Sequence, residues 1–553
     1  MAVERDFNDI LDDIVMSEDA QEQESYKEGF RAGVESGNAE GFHLGYHRGV
    51  QLGRELGYYL GTVTHHLKLV SLFNILKASK MDTKIYKIQK HLDSIVKYLK
   101  PLLPLANCHM VEFFTDSHWD LLPRNLRTYL DNMEMSDAVN RFWNAADSIY
   151  MDNCEIFEWV TQARANCIII NNDYIISPEN LKDYIKLKGG EFEPEIKVTQ
   201  FMNTKKSYEV QTMSPYVASL HKACSTTHCI EAGGGKGNLL VALSLGYNIP
   251  SLTVDCDEKT LKNAETRVSI IRKQWKAIAK KMNNGTEEII SGNIKTDCHR
   301  FAKAFITKDT DFIQTVKQEF DCDNVNVLLT GLHTCGNLGP DSLRIFTKSP
   351  NIGAVFNVPC CYHLLNETVD VCMVDVFREY GGHMDGYGFP MSEYLRGFNI
   401  GRNARMLASQ SIHRFVAQKT LPDISLLYRA VLQTIIKKHL PQASLSEKKL
   451  KGLSAKCTNF KDYCKMADKI LQTGLFNTCQ SETVNLTDEN MDCQWKKIVL
   501  FYMMRLCLAQ VVESVILLDR LLFLYENGYN DAFIVKLFDP VLSPRCHSIV
   551  AIK

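Results

Sequence analysis

The run Glu231-Ala232-Gly233-Gly234-Gly235-Lys236-Gly237 sets an acid and three alternate glycines between the apolar Cys229-Ile230 and the helix-like Leu239-Leu240-Val241-Ala242-Leu243. Glycines at this spacing let a backbone turn sharply and come close to a bound cofactor. A dinucleotide fingerprint starts with glycine and seats a pyrophosphate. An acid at the strand end would repel that anion, but it suits the cationic methionine part of S-adenosylmethionine. Asp255 closes the next strand-like run, Ser251–Asp255, 24 residues after Glu231. In a doubly wound domain a carboxylate there meets ribose hydroxyls. Asp257 is its rival on the following loop. Gly292-Asn293 could flank an adenine, and a plain loop explains that pair equally well. The candidate cofactor set is Glu231, Gly233, Gly235, Gly237, Asp255 and Asn293. It points to methyl transfer from S-adenosylmethionine, with a nicotinamide dinucleotide site as the alternative.

A second group of reactive residues lies in two strings, Thr330-Gly331-Leu332-His333-Thr334-Cys335-Gly336 and Asn357-Val358-Pro359-Cys360-Cys361-Tyr362-His363. Each follows an apolar, strand-like run. In a doubly wound order the two strands are neighbours, so both strings meet at the carboxyl edge where ligands bind. Three readings stay open. In the first, no metal is bound and the strings line a methyl-acceptor pocket. Asn357 and Pro359 then orient the acceptor, as in the Asn-Pro-Pro-aromatic loop of amino-methylating enzymes, with Tyr362 stacking on it and His333 alongside. In the second, His333, Cys335, Cys360 or Cys361, and His363 bind zinc, whose preferred ligands these are, although no Cys-x-x-Cys pair is present. In the third, the cysteines fill the core as small apolar residues. A thiolate nucleophile would further need a lowered pKa.

Positioning these residues takes an α/β domain. Strands are expected at 228–231, 251–255, 288–291, 325–330 and 353–357, alternating with helices. One helix starts near Asn238, and another runs from Glu258 toward Met282. This alternation implies a parallel sheet with right-handed crossovers. Segments 534–538 and 548–552, joined by the turn-rich Asp539-Pro540-Val541-Leu542-Ser543-Pro544, read as a closing hairpin. The expected fold is a class I methyltransferase, Rossmann-like, seven-stranded sheet with a large helical insertion, preceded by an α-helical N-terminal region. The expected divisions are an acidic, disordered lead-in at 1–24, a glycine-repeat helical module at 25–66, a helical domain at 67–200, and a methyltransferase domain at 201–553 with its insertion at about 392–480. Helices are expected at Leu67–Leu76, Tyr86–Leu99, Leu126–Met133 and, as one long element, Arg505–Glu526.

The chain has 553 residues and a net charge of −2, so any attraction to nucleic acid must come from local patches. Its 18 cysteines are scattered without a disulfide framework, which fits reduced thiols in the cytoplasm or nucleus. The most apolar stretch, Val511 to Leu524, carries Glu513, Asp519 and Arg520 and reads as a buried helix, not a membrane span. Glycines stand at 29, 33, 37, 41, 45, 49, 53, 57 and 61. Glycine weakens a helix by about 0.8–1 kcal/mol per position relative to alanine. A helix with this stripe therefore needs close packing, within the chain or on a partner protein. The charged residues between the glycines exclude lipid.

Two resemblances follow from these strings. Tyr26-Lys27-Glu28-Gly29-Phe30-Arg31-Ala32-Gly33 through Gly57-Tyr58-Tyr59-Leu60-Gly61 resembles the deca-GX3 module of the Yae and Lto adaptor proteins, which implies a client-recruiting role in cytosolic iron–sulfur assembly. The tryptophan-ended tail of that family is absent from the final Ala551-Ile552-Lys553. The second resemblance is to the methyltransferase-like protein 25 family. It is carried by Lys205-Lys206-Ser207-Tyr208-Glu209-Val210, the two His–Cys strings, Gly388-Phe389-Pro390-Met391-Ser392, Tyr428 to Gln433, Leu517-Leu518-Asp519-Arg520, and Phe538-Asp539-Pro540 with Ser543-Pro544-Arg545. It spans roughly residues 70–553 and implies a class I S-adenosylmethionine-dependent methyltransferase. Tyr208 stands where that family's motif has histidine. The His–Cys strings resemble a tRNA 2′-O-methyltransferase family more distantly.

For the substrate, Arg272, Lys273, Lys276, Lys280 and Lys281 surround Trp275, and residues 437–469 hold nine lysines against three acids. Basic helices with an aromatic can follow a phosphate backbone, whereas a solvated helix face explains either stretch alone. RNA is the leading substrate class and a protein side chain the second. A methyltransferase-fold scaffold without activity is the non-enzymatic alternative.

Overall fold

The computed structural model describes residues 81–147, 154–282, 298–367, 387–441, 450, 452–474, 476 and 488–553, together with Glu24, Lys27, Glu28, Arg31, Glu55 and Thr62. The chain divides into two compact units, Met1–Lys84 and Ile85–Lys553. In the first unit the six isolated described residues are helical. The glycine stripe, the lead-in 1–23 and the helix expected at Leu67–Leu76 lie outside the described residues.

The second unit is built on eight strands: β1 (Ile175–Ile176), β2 (His228–Ala232), β3 (Ser251–Asp255), β4 (His299–Lys303), β5 (Val327–Cys335), β6 (Ile352–Cys360), β7 (Ala532–Lys536) and β8 (His547–Ile552). Their order is β1-β7-β8-β6-β5-β2-β3-β4. Strand β8 runs antiparallel to both β6 and β7, and the other pairs are parallel. This is the seven-stranded class I arrangement with a two-residue edge strand, β1, added beside β7. Strand β2 lies between β3 and β5, so the order of connection reverses there and opens a crevice at the carboxyl ends.

Alternate residues along the strands explain the layers. Leu328, Ala354, Phe356, Val358, Val550 and Ile552 form one buried face. It packs on α1 (Pro178–Leu187), α2 (Thr204–Ala223), α3 (Asn238–Val241) and α4 (Glu258–Met282). Helix α5 (Leu338–Lys348) packs on β5 and β6, and α7 (Leu508–Glu526), preceded by α6 (Asp488–Leu506), packs on β7 and β8. Sixteen of the 19 residues of α7 are buried, so apolar side chains surround it on every side. Among the described residues no helix is long and apolar enough to cross a membrane.

Four sequence expectations change. The strand beside β3 is His299–Lys303; the expected 288–291 lies outside the described residues. Its charged composition hides an alternation in which His299 is buried, bonded through Nε2 to Thr253 Oγ1 at 2.8 Å. Strands β5 and β6 run on to Cys335 and Cys360, past the expected ends at Thr330 and Asn357. The element expected from Arg505 to Glu526 is two helices meeting at Cys507. The reason is tertiary: Trp159 Nε1 donates to the Met504 carbonyl at 2.9 Å, and the Cys507 amide closes a tight turn on that same oxygen at 3.3 Å. Finally, Trp275 is 1% exposed and packs in the core, so it offers no ring to a nucleobase.

Candidate active site

The glycine turn joins β2 to α3. Gly233, Gly235 and Gly237 all have positive φ, at 68°, 51° and 64°, which favours glycine. The Gly233 and Gly234 amides donate to the Val254 carbonyl at 2.9 and 3.3 Å, which ties the turn to β3. A β-carbon at Gly234 would lie 2.7 Å from Thr253 Cγ2, so the fold itself needs glycine there. One at Gly235 would meet only Asp255 Oδ2, at 3.9 Å, so that peptide borders open space. Asp255 accepts from the Gly235 amide at 2.9 Å and from the Asp257 amide at 3.0 Å. Asp257 instead caps α4, accepting from the Lys259 amide at 3.1 Å and the Thr260 hydroxyl at 2.5 Å. Asp255 thus faces the turn, and Asp257 serves the helix.

Glu231 is 3% exposed, and its Oε2 has no hydrogen-bond partner. Burial pushes its pKa up to about 8, against the pull of the Lys206 charge. The unused oxygen lies against the glycine turn at Gly234, where an added β-carbon would stand 3.0 Å from it. The turn with Glu231 and Asp255 is where these residues would hold the aminoacyl end and ribose of an S-adenosylmethionine. Arg267 holds the far side of the turn, donating to the Lys236 carbonyl at 3.3 Å and to Asn238 Oδ1 at 2.9 Å. Asn293 lies outside the described residues.

The β5–β6 pairing changes register between Leu332 and Thr334. His333 is the extra residue of this bulge, with φ at 77°. A bulge re-aims a side chain, and His333 Nε2 lies 2.8 Å from Glu209 Oε2. The His333 side chain is 24% exposed and that of Glu209 1% exposed. Glu209 rises from α2, and its other oxygen accepts from the Ser543 hydroxyl at 2.7 Å. Lys205 and Lys206 stand 3.5 and 3.4 Å from its two oxygens. Burial alone would raise the Glu209 pKa. The bonds from His333 and Ser543 and the Lys206 charge overcome that and hold it down to about 2. A histidine oriented by an ionised carboxylate can accept a proton from a substrate group. The sequence strings contain Glu209 and Ser543, yet neither stands out until α2 and the β7–β8 loop are folded against the bulge.

Beyond the bulge, Thr334 pairs with Pro359 and Cys335 with Cys360. The missing N–H of Pro359 thus falls where the ladder is already irregular, a position proline tolerates. Three thiols converge at these strand ends: Cys335 and Cys360 Sγ are 3.1 Å apart, Cys335 and Cys361 3.3 Å, and Cys360 and Cys361 3.7 Å. Of the metal-ligand alternatives His333, Cys335, Cys360 or Cys361, and His363, the structure gathers the three cysteines and neither histidine. His333 turns to Glu209 instead.

The three residues expected to line an acceptor pocket, Asn357, Tyr362 and Pro359, are packed inside the fold. Asn357 is 2% exposed; its Nδ2 donates to the Gly339 carbonyl at 3.2 Å, and its Oδ1 accepts from the Thr334 hydroxyl. Both ends of the amide thus brace β5, β6 and α5. Tyr362 is fully buried, donates to Glu513 Oε1 at 2.8 Å and lies under the Arg520 guanidinium. It cannot stack on an incoming substrate. Pro359 is likewise buried within β6. Tyr208, which replaces the histidine of the related motif, accepts from the Asp539 amide at 2.9 Å and so helps seat the β7–β8 loop.

The glycine turn, its two acids and the histidine dyad all sit at one sheet edge. Residues 205–368, which contain every one of these side chains but Ser543, match a family described as "Methyltransferase domain". The chain carries a methyltransferase domain. Probable methyltransferase-like protein 25 of Mus musculus is 28% identical, with 84% of this chain and 96% of the relative covered. The Homo sapiens protein of the same description is 27% identical, with 84% and 97% covered. Residues 25–63 match "Essential protein Yae1, N terminal". Both family resemblances read from the sequence motifs are therefore met.

Proposed function

We propose that the protein is an S-adenosylmethionine-dependent methyltransferase acting on RNA, in the cytoplasm or nucleus. The observation that carries this reading is the pairing of an open glycine turn, flanked by Glu231 and Asp255, with a partly exposed histidine seated on an ionised carboxylate at the same edge. S-adenosylmethionine supplies the methyl group on its sulfonium when bound. Glu231 faces the cationic aminoacyl end, and Asp255 fixes the Gly235 peptide and receives the ribose hydroxyls. His333 takes the proton released by the acceptor, and Glu209 stabilises the imidazolium that forms. Asn357 acts from behind, as a brace for the two strand ends.

RNA is supported by charge placement. Lys461, Lys465 and Lys469 are exposed at four-residue spacing on the helix Phe460–Leu471, and Lys456 is exposed just before it. Such a stripe can follow a phosphate backbone. Among the described residues sixteen cysteines are free thiols, which suits a reducing compartment. The test is transfer of radiolabelled methyl into fractionated cell extract by the purified chain. Label lost to nuclease and kept through protease supports RNA; label lost to protease alone assigns a protein acceptor instead.

A further inference from the structure

The three thiols at the ends of β5 and β6 have no part in the proposed transfer. Cys335 and Cys360 are brought side by side by the register that follows the His333 bulge. Cys361 is turned toward them by a left-handed backbone, with φ at 51°. Gly336, also at positive φ, would drive a β-carbon to within 2.8 Å of Leu364 Cβ and 2.9 Å of the Leu364 carbonyl oxygen, so the two loops that follow the strands are pressed together at this point. A left-handed cysteine, a close approach at Gly336 and a bulge thus aim three sulfurs at one point. Their separations of 3.1, 3.3 and 3.7 Å are well beyond the roughly 2.05 Å of a disulfide. A disulfide would in any case use two sulfurs and strand the third. Sulfurs around a tetrahedral zinc lie about 3.8 Å apart, given Zn–S bonds of about 2.3 Å. The trio needs to open only slightly to reach that spacing.

We propose that Cys335, Cys360 and Cys361 bind one zinc ion through three thiolates. Cys360 is buried, Cys361 half-buried and Cys335 exposed. The fourth corner of the tetrahedron therefore opens on the Cys335 side, as in zinc sites that keep a position for water or a substrate group. The site stands on thiol geometry alone and is independent of which acceptor is methylated.

The test is metal analysis of the full chain purified under a non-thiol reductant and incubated with zinc, then freed of excess. About one zinc per chain is expected, falling below about one tenth in Cys361→Ser and Cys335→Ala. Cys493→Ser, which removes an exposed cysteine of α6, should keep it. Exchange of the wild-type chain into cobalt(II) should give thiolate-to-cobalt absorption in the near ultraviolet, a readout that needs no variant to fold. Wild-type chain without stoichiometric zinc and without that absorption overturns the site. So does zinc that survives both substitutions, or iron accompanied by acid-labile sulfide.

Discussion

A side chain with a β-carbon at positive φ costs on the order of 1–3 kcal/mol, and His333 holds that conformation in a bulge that turns its ring to Glu209. The dyad explains why the Lys205-Lys206 motif, the His–Cys string and the Ser543 loop occur together: three distant stretches supply the hydrogen-bonded His333 and Glu209, the two lysines beside them and the supporting hydroxyl. We expect Glu209→Gln to lower turnover at least tenfold while S-adenosylmethionine affinity stays within about twofold, since the residue serves proton transfer and not cofactor binding. Single-turnover assays beside calorimetric titration separate the two. The same substitution tests the electrostatics. The Glu209 carboxyl is held at about 2, below its ordinary 4.5. Its contribution is therefore present above the ordinary value and is lost as pH falls through about 4.5 toward 2. The wild-type melting temperature should drop more steeply than that of Glu209→Gln over this window. Equal slopes would mean the pair adds no net stability.

Helix α7 shows what individual elements contribute. It is buried on all sides yet carries Glu513, Asp519 and Arg520, and burial raises the Asp519 pKa to about 6. Asp519 accepts from the Met391 and Ser392 amides at 2.7 and 2.9 Å and from the Ser392 hydroxyl at 2.6 Å. The Gly388–Ser392 and Leu517–Arg520 strings, far apart in sequence, are thus two halves of one clamp. Asp519→Ala leaves three buried donors without a partner and should destabilise the chain by about 2–4 kcal/mol, seen as a lower urea midpoint with no change in the intrinsic acceptor preference. On the helix Phe460–Leu471, the triple change Lys461→Glu, Lys465→Glu, Lys469→Glu should weaken RNA binding at least tenfold and flatten its salt dependence. Binding unchanged by the triple substitution would place the RNA elsewhere. Much of this level was legible in the sequence: apolar runs and glycine turns marked β2, β3, the cores of β5 and β6, and the closing hairpin. The errors share a cause. The strands expected to end at Thr330 and Asn357 run on because Gly331 and Leu332 still pair with Asn357 and Val358, and the His333 bulge carries the pairing to the cysteines. Asn357 and Tyr362 have the residue types of a substrate pocket, and only packing reveals that α5 and α7 claim them first. The break at Cys507 has no local signal because Trp159, about 350 residues earlier, makes it.

At the scale of the whole molecule, the chain joins a segment matching the Yae1 N-terminal family at residues 25–63 to a methyltransferase domain at 205–368, and residues 85–553 form a compact unit of their own. We expect Gly41→Leu, Gly45→Leu and Gly49→Leu together, in the full chain, to abolish capture of partner proteins while methyl transfer persists. Joint loss of activity and melting temperature would instead make the repeat part of the enzyme's own core. The central claim concerns the methyltransferase domain, where Gly235 borders open space beside Asp255. It is tested most directly by calorimetric titration of S-adenosylmethionine into the wild-type chain and into Gly235→Val. The account predicts one site per wild-type chain and binding weakened roughly 150-fold in the variant, the equivalent of about 3 kcal/mol, with the variant still folded. Absence of binding to the wild-type chain, or equal affinity in a folded Gly235→Val, would contradict it.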